Sequence, residues 1–114
     1  MPDPLATALL GLPYIAAAQA QKHVTHNEAL KRLDGLVQIA VEASGATAPP
    51  GSPAEGDRYL LGTGATGAWA GKDGQLAVHA DGTWWFAEPA VGWLAFDRAT
   101  DELLVLKSSG WTAI

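Results

Sequence analysis

The chain has 114 residues, 7 Lys and Arg against 12 Asp and Glu, a net charge of -5, and no cysteine. This length fits one domain that buries roughly two thirds of its unfolded surface, so a core forms without disulfides, and thiolate metal sites are excluded. The acidic balance argues against binding to nucleic-acid phosphates, and no apolar run approaches the roughly 20 residues that cross a membrane.

The first 15 residues form an apolar N-terminal arm interrupted by three prolines. Because Pro13 ends any helix that begins near Leu5, the arm is not a stable helix by itself. Its apolar side chains are too many to remain in water. The arm therefore packs either on its own subunit's core or, as our hypothesis, on a neighbouring subunit or the capsid. The candidate interface residues are Leu5, Leu9, Leu10, Leu12, Tyr14 and Ile15.

A helix is predicted in THNEALKRL, residues 25–33. Thr25 and Glu28 have the spacing of a capping box, in which each side chain accepts from the other residue's backbone N–H at a helix start. The stretch AAAQAQKHV before it also favours a helix, so a start near Ile15 with a restart or bend at Thr25 stays open, and Asp34-Gly35 is a plausible end. The predicted buried stripe consists of Leu30, Leu33 and either Leu36 or Val37.

Residues 37–42, VQIAVE, alternate apolar and polar side chains with the period of a strand. Residues 44–56, SGATAPPGSPAEG, are rich in Pro, Gly and Ser, which predicts an extended surface linker without a packing pattern. The sequence therefore predicts an N-terminal arm over residues 1–15, followed by a single helix-plus-β domain over residues 16–114 that contains this linker.

Six further strands are predicted over residues 57–61, 75–80, 83–88, 92–97, 103–107 and 111–114. Asp81-Gly82 predicts a tight hairpin, and Ser108-Ser109-Gly110 predicts a slightly longer one. LAVHADGTW (76–84) and LLVLKSSGW (103–111) form a weak internal repeat, with fewer copies than stacked repeats need. The predicted fold class is α+β: an arm and a helix, then a small, mostly antiparallel β domain of short hairpins, sandwich- or barrel-like.

Three glycines between residues 62 and 67 match G-x-G-x-x-G, the spacing of a dinucleotide-binding loop. That loop needs a helix after its third glycine, but two further glycines follow and no apolar period of 3.6 residues does. A P-loop is also disfavoured, because Gly67 to Lys72 is one residue short and Asp73 replaces the Mg²⁺-binding hydroxyl. The sequence predicts no cofactor, and glycines that supply positive φ in a connection between strands.

No catalytic or metal site is predicted. His23, His26 and Glu28 could offer ligands from one helix, but their spacing is not that of a zinc helix, and His79 alone remains as a further imidazole. The carboxylates of FDRATDELL, residues 96–104, could suggest glycoside hydrolysis. Asp and Thr in that setting are more typical of a hairpin turn, so we expect a protein that is not an enzyme.

The adjacent Trp84 and Trp85 are candidate contacts for a partner or a glycan. Neighbouring residues of a strand point to opposite faces of the sheet, so both indoles cannot enter one core. One of them is left for the other side of the sheet, a partner chain or solvent. An exposed indole could stack on a sugar ring, or it could form a subunit contact, which we favour because interfaces are rich in Trp.

Three stretches carry a resemblance to a known family: LPYIAAAQAQKHVTHNEALKRLDGLVQIAV, PPGSPAEGDRYLLGTGATGAWAGKDGQLA and GWLAFDRATDELLVLKSSGW. They lie between residues 12 and 111, and AQAQKHVTHNEA and PAEGDRY are their most specific parts. The chain resembles the domain-of-unknown-function family of alphaproteobacterial prophages and gene transfer agents, found near tail-fibre and spike genes, and within it the head-spike base proteins. The resemblance implies no catalytic residues.

The resemblance implies a virion structural protein, the head-spike or tail-fibre base of a phage-like particle or gene transfer agent, which anchors a receptor-binding fibre. The implied partners are its own copies in a ring such as a pentamer, the capsid protein and a spike or fibre protein, with assembly in the bacterial cytoplasm. Because nothing follows Ile114, we expect an adaptor without its own receptor-binding tip. The alternative is a carbohydrate-binding module that recognises host cell-surface glycans through Trp84 or Trp85.

Overall fold

One helix near the N-terminus is followed by β-structure through the rest of the chain. The structure, a computed structural model, describes residues 6–14 and 22–114, with the side chains of 6–14 and 26–114. The chain divides into two compact units, unit 1 (Met1–Val37) and unit 2 (Gln38–Ile114). The helix therefore groups with the N-terminal residues, and the boundary predicted after residue 15 lies outside the described residues. No helix in the described ranges is long and apolar enough to cross a membrane.

Helix α1 spans Lys22–Leu36 in unit 1. Its backbone is already helical three residues before Thr25, so a helix start capped by Thr25 and Glu28 is wrong. The upstream sequence is rich in Ala, Gln and Lys, whose helix propensity outweighs the local start signal. Glu28 lies inside the helix and is exposed, with its Oε1 4.0 Å from the Lys31 Nζ. The helix also continues through Asp34-Gly35, the predicted end.

Unit 2 contains eight strands in two mixed sheets. Sheet I has the strand order β2 (Ala43–Ala46), β3 (Arg58–Leu61), β4 (Leu76–Ala80), β5 (Thr83–Ala87). Sheet II has the order β1 (Ala40–Val41), β6 (Leu94–Asp97), β7 (Glu102–Lys107), β8 (Gly110–Ala113). The first pair of each sheet is parallel and the others are antiparallel. The predicted fold class is confirmed: α+β, with the sheets in a sandwich-like arrangement.

A single short segment supplies the first strand of both sheets. Only Glu42 separates β1 from β2, and the segment is hydrogen-bonded along both of its edges. The Val41 carbonyl accepts from the Arg98 N–H (3.0 Å), beside sheet II, and the Glu42 N–H donates to the Arg58 carbonyl (2.7 Å) in sheet I. The predicted linker over residues 44–56 is therefore wrong at its start, because residues 44–46 pair with β3.

The two sheets are copies of one strand arrangement. In each, a short parallel strand precedes three antiparallel strands, and the hairpins β4–β5 and β7–β8 have the same register 27 residues apart. The Asp81-Gly82 turn is confirmed as a two-residue hairpin with positive φ at both residues. The Ser108-Ser109 turn is one residue shorter than predicted, because Gly110 already pairs with Lys107.

The repeat extends beyond the hairpins that revealed it. Pro-Ala-Glu-Gly at residues 53–56 and Pro-Ala-Val-Gly at 89–92 occupy equivalent turns. The Gly56 N–H donates to the His79 carbonyl (2.7 Å), and the Gly92 N–H donates to the Leu106 carbonyl (2.8 Å), 27 residues after His79. The end of the predicted linker is therefore also ordered. Unit 2 therefore contains two related repeats, residues 53–87 and 89–114.

The repeats differ in the connection after their first antiparallel strand. Residues 62–75 connect β3 to β4, whereas only residues 98–101 connect β6 to β7. The longer connection makes one 3₁₀ turn at Gly67–Trp69, and the Trp69 side chain is completely buried on sheet I. The Asp73 carboxylate closes the connection by accepting from the N–H groups of Gly64 and Ala65, both at 2.9 Å.

The glycines of the G-x-G-x-x-G stretch are required by this connection. Gly64 and Gly67 have positive φ (84° and 62°), which confirms the predicted role of glycine between strands. Gly62 has a different constraint, because a Cβ there would lie 2.7 Å from the carbonyl oxygen of Gly45 in β2. A single 3₁₀ turn follows Gly67, not the longer helix whose N-terminus holds a pyrophosphate in dinucleotide-binding loops.

We expect Gly62→Ala to lower the free energy of unfolding by about 3 kcal/mol, because the added methyl group displaces the Gly45 backbone. Gly64→Ala is the matched control: no atom lies within 4 Å of its Cβ position. There, only the cost of a left-handed conformation applies, about 1 kcal/mol. Urea denaturation of both variants measures the difference, and equal losses would contradict the close approach at Gly62.

We expect the pKa of Asp73 to lie below the ordinary aspartate value, because hydrogen bonds from the Gly64 and Ala65 N–H groups stabilise its carboxylate. A lowered folded pKa means that this stabilisation is complete above about pH 3.9, the unfolded value, and is lost as pH falls through the folded value. Side-chain carboxyl NMR titration measures the pKa. An unshifted titration would show that the connection is not closed by Asp73 in solution.

Candidate functional site

A buried carboxylate organises unit 1. Asp34 of α1 accepts three hydrogen bonds from the N-terminal arm, from Thr7 Oγ1 (2.7 Å), the Leu9 N–H (2.9 Å) and the Leu10 N–H (2.6 Å). Asp34 and Thr7 are both buried. A buried charge is costly unless donors replace its water, and the arm supplies three donors to the two carboxylate oxygens. Asp34 therefore fastens the arm to the helix.

The arm also closes on itself. The Thr7 N–H donates to the Leu12 carbonyl (2.9 Å), the Leu12 N–H donates to Thr7 Oγ1 (2.8 Å), and Ala6 pairs with Pro13 in an antiparallel bridge. Residues 6–13 therefore form a compact loop, called the arm loop below. The described part of the arm is held by its own chain before any partner binds.

The arm loop presents its central leucines outward. The side chains of Leu9 and Leu10 are exposed, although their backbone N–H groups bind Asp34. Leu12 and Tyr14 are half-buried. Leu5 and Ile15, the other candidate interface residues, lie outside the described residues. Leu9 and Leu10 are thus the members of the predicted interface that remain available for a second molecule.

The helix buries a different face from the predicted one. Leu33 and Val37, four residues apart, are exposed, and Leu30 and Leu36 are only half-buried. The buried side chain at this position is Asp34, one residue along from Leu33, because its hydrogen bonds turn that side of α1 toward the arm loop. The predicted buried leucine stripe is therefore wrong.

Leu9, Leu10, Leu33 and Val37 together are called the unit 1 apolar surface below. Each is exposed over 37% to 48% of its surface. Leu33 and Val37 are four residues apart at the end of α1, and the backbone N–H groups of Leu9 and Leu10 bind Asp34, the residue next to Leu33. Single exposed leucines are ordinary on a protein surface, but a group of them in a small unit is typical of a protein interaction site. This surface can bind an apolar partner through shape and burial.

Trp84 belongs to an aromatic cluster of its own subunit. Its ring centroid lies 5.2 Å from that of Trp69, 6.0 Å from that of Tyr59 and 4.9 Å from that of His79, in edge-to-face geometry. Such contacts stabilise packing beyond the buried area alone. Burial, and then the carboxylates of Asp57 and Glu42, raise the pKa of the Tyr59 phenol. Trp84 therefore packs beneath the 62–75 connection and is half-buried.

Trp85 points to the opposite face of sheet I, as its position next to Trp84 predicted. That face is also covered: Leu60, Leu76 and Val78 on it are buried, and Trp85 itself is half-buried. No tryptophan is among the exposed large apolar residues of the described chain. Trp84 and Trp85 are both half-buried by the tertiary packing, so neither is among the fully exposed side chains of the described chain.

The remaining predicted candidates have local roles or no defined neighbours. Asp97 accepts from the N–H groups of Ala99 (2.9 Å) and Thr100 (3.4 Å), which confirms the predicted hairpin turn. His26 is exposed, and the side chain of His23 lies outside the described residues. Among the described side chains, no three His, Cys, Asp or Glu residues are placed to hold a metal ion.

Sequence reasoning missed a second exposed apolar surface, on sheet II. Leu94, Leu103 and Ile114 are exposed over 43% to 77% of their surfaces. Leu94 pairs with Val105, and Phe96 pairs with Leu103, so these side chains share one face, with Thr112 beside Val105. The sheet II apolar face consists of Leu94, Phe96, Leu103, Val105, Thr112 and Ile114, and the exposed Lys107 lies at its edge, at the end of β7. Its signal was the continuous apolar run LLVL, residues 103–106, but such a run is equally typical of an ordinary buried strand.

Comparison with protein families matches residues 26–112 to the family described as a protein of unknown function, DUF2793. The match covers all of unit 2 except its last two residues, and also α1 from His26. No curated protein matches the chain.

Proposed function

This chain belongs to the DUF2793 family, and we propose that it is a virion structural protein, the base of a head spike or tail fibre on a phage-like particle or gene transfer agent. In this role it joins copies of itself into a ring, binds the capsid and anchors a fibre protein. It is assembled in the bacterial cytoplasm and works on the particle surface.

The observation that carries this proposal is the unit 1 apolar surface. An adaptor needs a surface that is exposed in the free subunit and yet ordered enough to bind without a large entropic cost. Leu9 and Leu10 meet both conditions, because their side chains are exposed while their N–H groups are fixed by Asp34. The resemblance of the sequence to proteins encoded near spike and fibre genes supports the choice of particle.

The proposal is tested on purified particles. Electron microscopy with an antibody against this protein should label the base of a spike or fibre, and deletion of its gene should leave particles without that appendage. Leu9→Gln/Leu10→Gln should fail to restore the appendage, whereas Val91→Ser, which alters an exposed residue outside the unit 1 apolar surface, should restore it. Particles without label would contradict the proposal.

We do not propose the carbohydrate-binding alternative, because it requires an exposed indole. Trp84 packs against Trp69, Tyr59 and His79, and Trp85 is half-buried on the other face of sheet I. Binding of the purified chain to a glycan array, lost in Trp84→Ala and retained in Val91→Ser, would restore that alternative.

A further inference from the structure

The chain carries two separate exposed apolar surfaces. One is the unit 1 apolar surface, Leu9, Leu10, Leu33 and Val37, and the other is the sheet II apolar face. Leaving both in water is unfavourable, since each square ångström of apolar surface removed from water contributes about 25 cal/mol. Contacts between copies of the chain can cover both surfaces at once if each surface binds a neighbouring copy.

The charges of the two units indicate which surfaces of neighbouring copies are more favourable to bring together. Unit 1 has three Lys or Arg and three Asp or Glu, and is neutral; unit 2 has four Lys or Arg and nine Asp or Glu, so it carries the entire net charge of -5. Contact between the sheet II faces of two copies brings two acidic units together, and like charges disfavour it. Contact between unit 1 of one copy and unit 2 of another brings no such repulsion.

We propose that copies of this chain associate head to tail, with the unit 1 apolar surface of one copy seated on the sheet II apolar face of the next. This deepens the proposed function by naming the surfaces through which the subunits join. A contact between two different surfaces is heterologous, and repeated contacts of that kind close into a ring when the rotation between copies divides a full turn. Each copy in the ring then covers both of its apolar surfaces.

The size of the contact sets how strongly the copies associate. Four strands about 4.8 Å apart and about four residues long present roughly 250 Å², well below the roughly 800 Å² per partner of a standard stable interface. A single contact is therefore weak, and a closed ring is favoured because every member makes two contacts. Assembly should depend steeply on protein concentration, with few intermediates between monomer and ring.

The experiment mixes two full-length variants, each damaged on one surface. Leu9→Gln/Leu10→Gln removes the unit 1 apolar surface, and Leu94→Gln/Leu103→Gln removes the sheet II apolar face; all four residues are exposed, so both variants should fold. Circular dichroism and thermal unfolding check this. Val91→Ser, exposed but outside both surfaces, is the matched control and should assemble as the unchanged chain does.

Native mass spectrometry and sedimentation across concentrations give the result. Each variant alone should lose the ring, with at least a tenfold rise in the concentration needed for association. At concentrations well above those at which the unchanged chain forms rings, a mixture of the two should form a 1:1 heterodimer and nothing larger, because one undamaged contact is possible between them. No ring from the unchanged chain, ring formation by either variant alone, or no heterodimer in the concentrated mixture would overturn the proposal.

These outcomes are distinct from a failure of the proposed function. If the purified chain forms the head-to-tail ring but particles carry no label, the virion role fails and the contact stands. If particles are labelled but the Leu94→Gln/Leu103→Gln variant still forms rings, the contact fails and the virion role stands.

Discussion

Trp69→Ala should lower the free energy of unfolding of unit 2 by about 4 kcal/mol, which is typical of the loss of a fully buried tryptophan. Trp69 has no exposed surface and anchors the 62–75 connection on sheet I. Without the indole, Tyr59 and Trp84 lose the ring that lies 5.2 Å from each of them. The 62–75 connection would then no longer be packed against sheet I.

Chemical denaturation followed by far-ultraviolet circular dichroism measures this loss. Trp69→Phe is the matched control and should cost much less, since it keeps an aromatic ring and removes a buried indole N–H that has no acceptor among the described residues. If the alanine variant is too unstable to purify, the phenylalanine variant and hydrogen exchange across residues 62–75 still test the anchor. A loss below about 1 kcal/mol in Trp69→Ala would show that the indole is not buried in solution.

Asp34→Ala should release the arm loop from α1, at a cost of about 3 kcal/mol to unit 1. Its carboxylate accepts from Thr7 Oγ1 and from the Leu9 and Leu10 N–H groups at 2.6 to 2.9 Å. Hydrogen bonds to a charged acceptor contribute about 1.5 to 3 kcal/mol each but are not additive, and water satisfies part of what the loop loses once it opens. The main expected effect of Asp34→Ala is therefore that the arm loop opens.

Amide hydrogen exchange at Leu9 and Leu10 is the direct measurement, and both amides should exchange at least tenfold faster in Asp34→Ala. Asp34→Asn is the matched control: its single amide oxygen can replace one acceptor, so protection should fall less than in the alanine variant. Unit 2 should unfold at an unchanged denaturant concentration. Unchanged exchange at Leu9 and Leu10 would mean that Asp34 does not hold the arm loop.

The β half of the fold was predictable because its signals are local. Asp81-Gly82 requires the positive φ angles of a tight hairpin, and alternating apolar residues on either side mark its strands. The same reasoning placed four further strands within about two residues, and it identified the repeat of the two hairpins. The pairing of equivalent strands in separate sheets was not predictable, because it depends on contacts between residues far apart in the chain.

The candidate site was predictable only in part. Leu9 and Leu10 were identified from composition, since an apolar, proline-rich arm must be covered by something. The exposure of Leu33 and Val37 was not predictable, because their spacing is that of a buried stripe. Nothing in the local sequence marks Asp34 as the side chain that is buried instead. The burial of Trp84 and Trp85 was not predictable for a related reason: adjacent indoles predict two opposite faces of the strand, but not which of those faces is covered.

The sequence alone determined which residues turn, which alternate and which glycines are needed, because these properties depend on the φ preferences and side-chain periods of neighbouring residues. The tertiary structure decided everything that depends on a distant partner. It made Trp69 the anchor of a 14-residue connection, assigned residues 44–46 to a strand, and rotated α1 so that Asp34 meets the arm loop. Those outcomes follow from hydrogen bonds and packing between segments that the chain order keeps apart, which no local pattern contains.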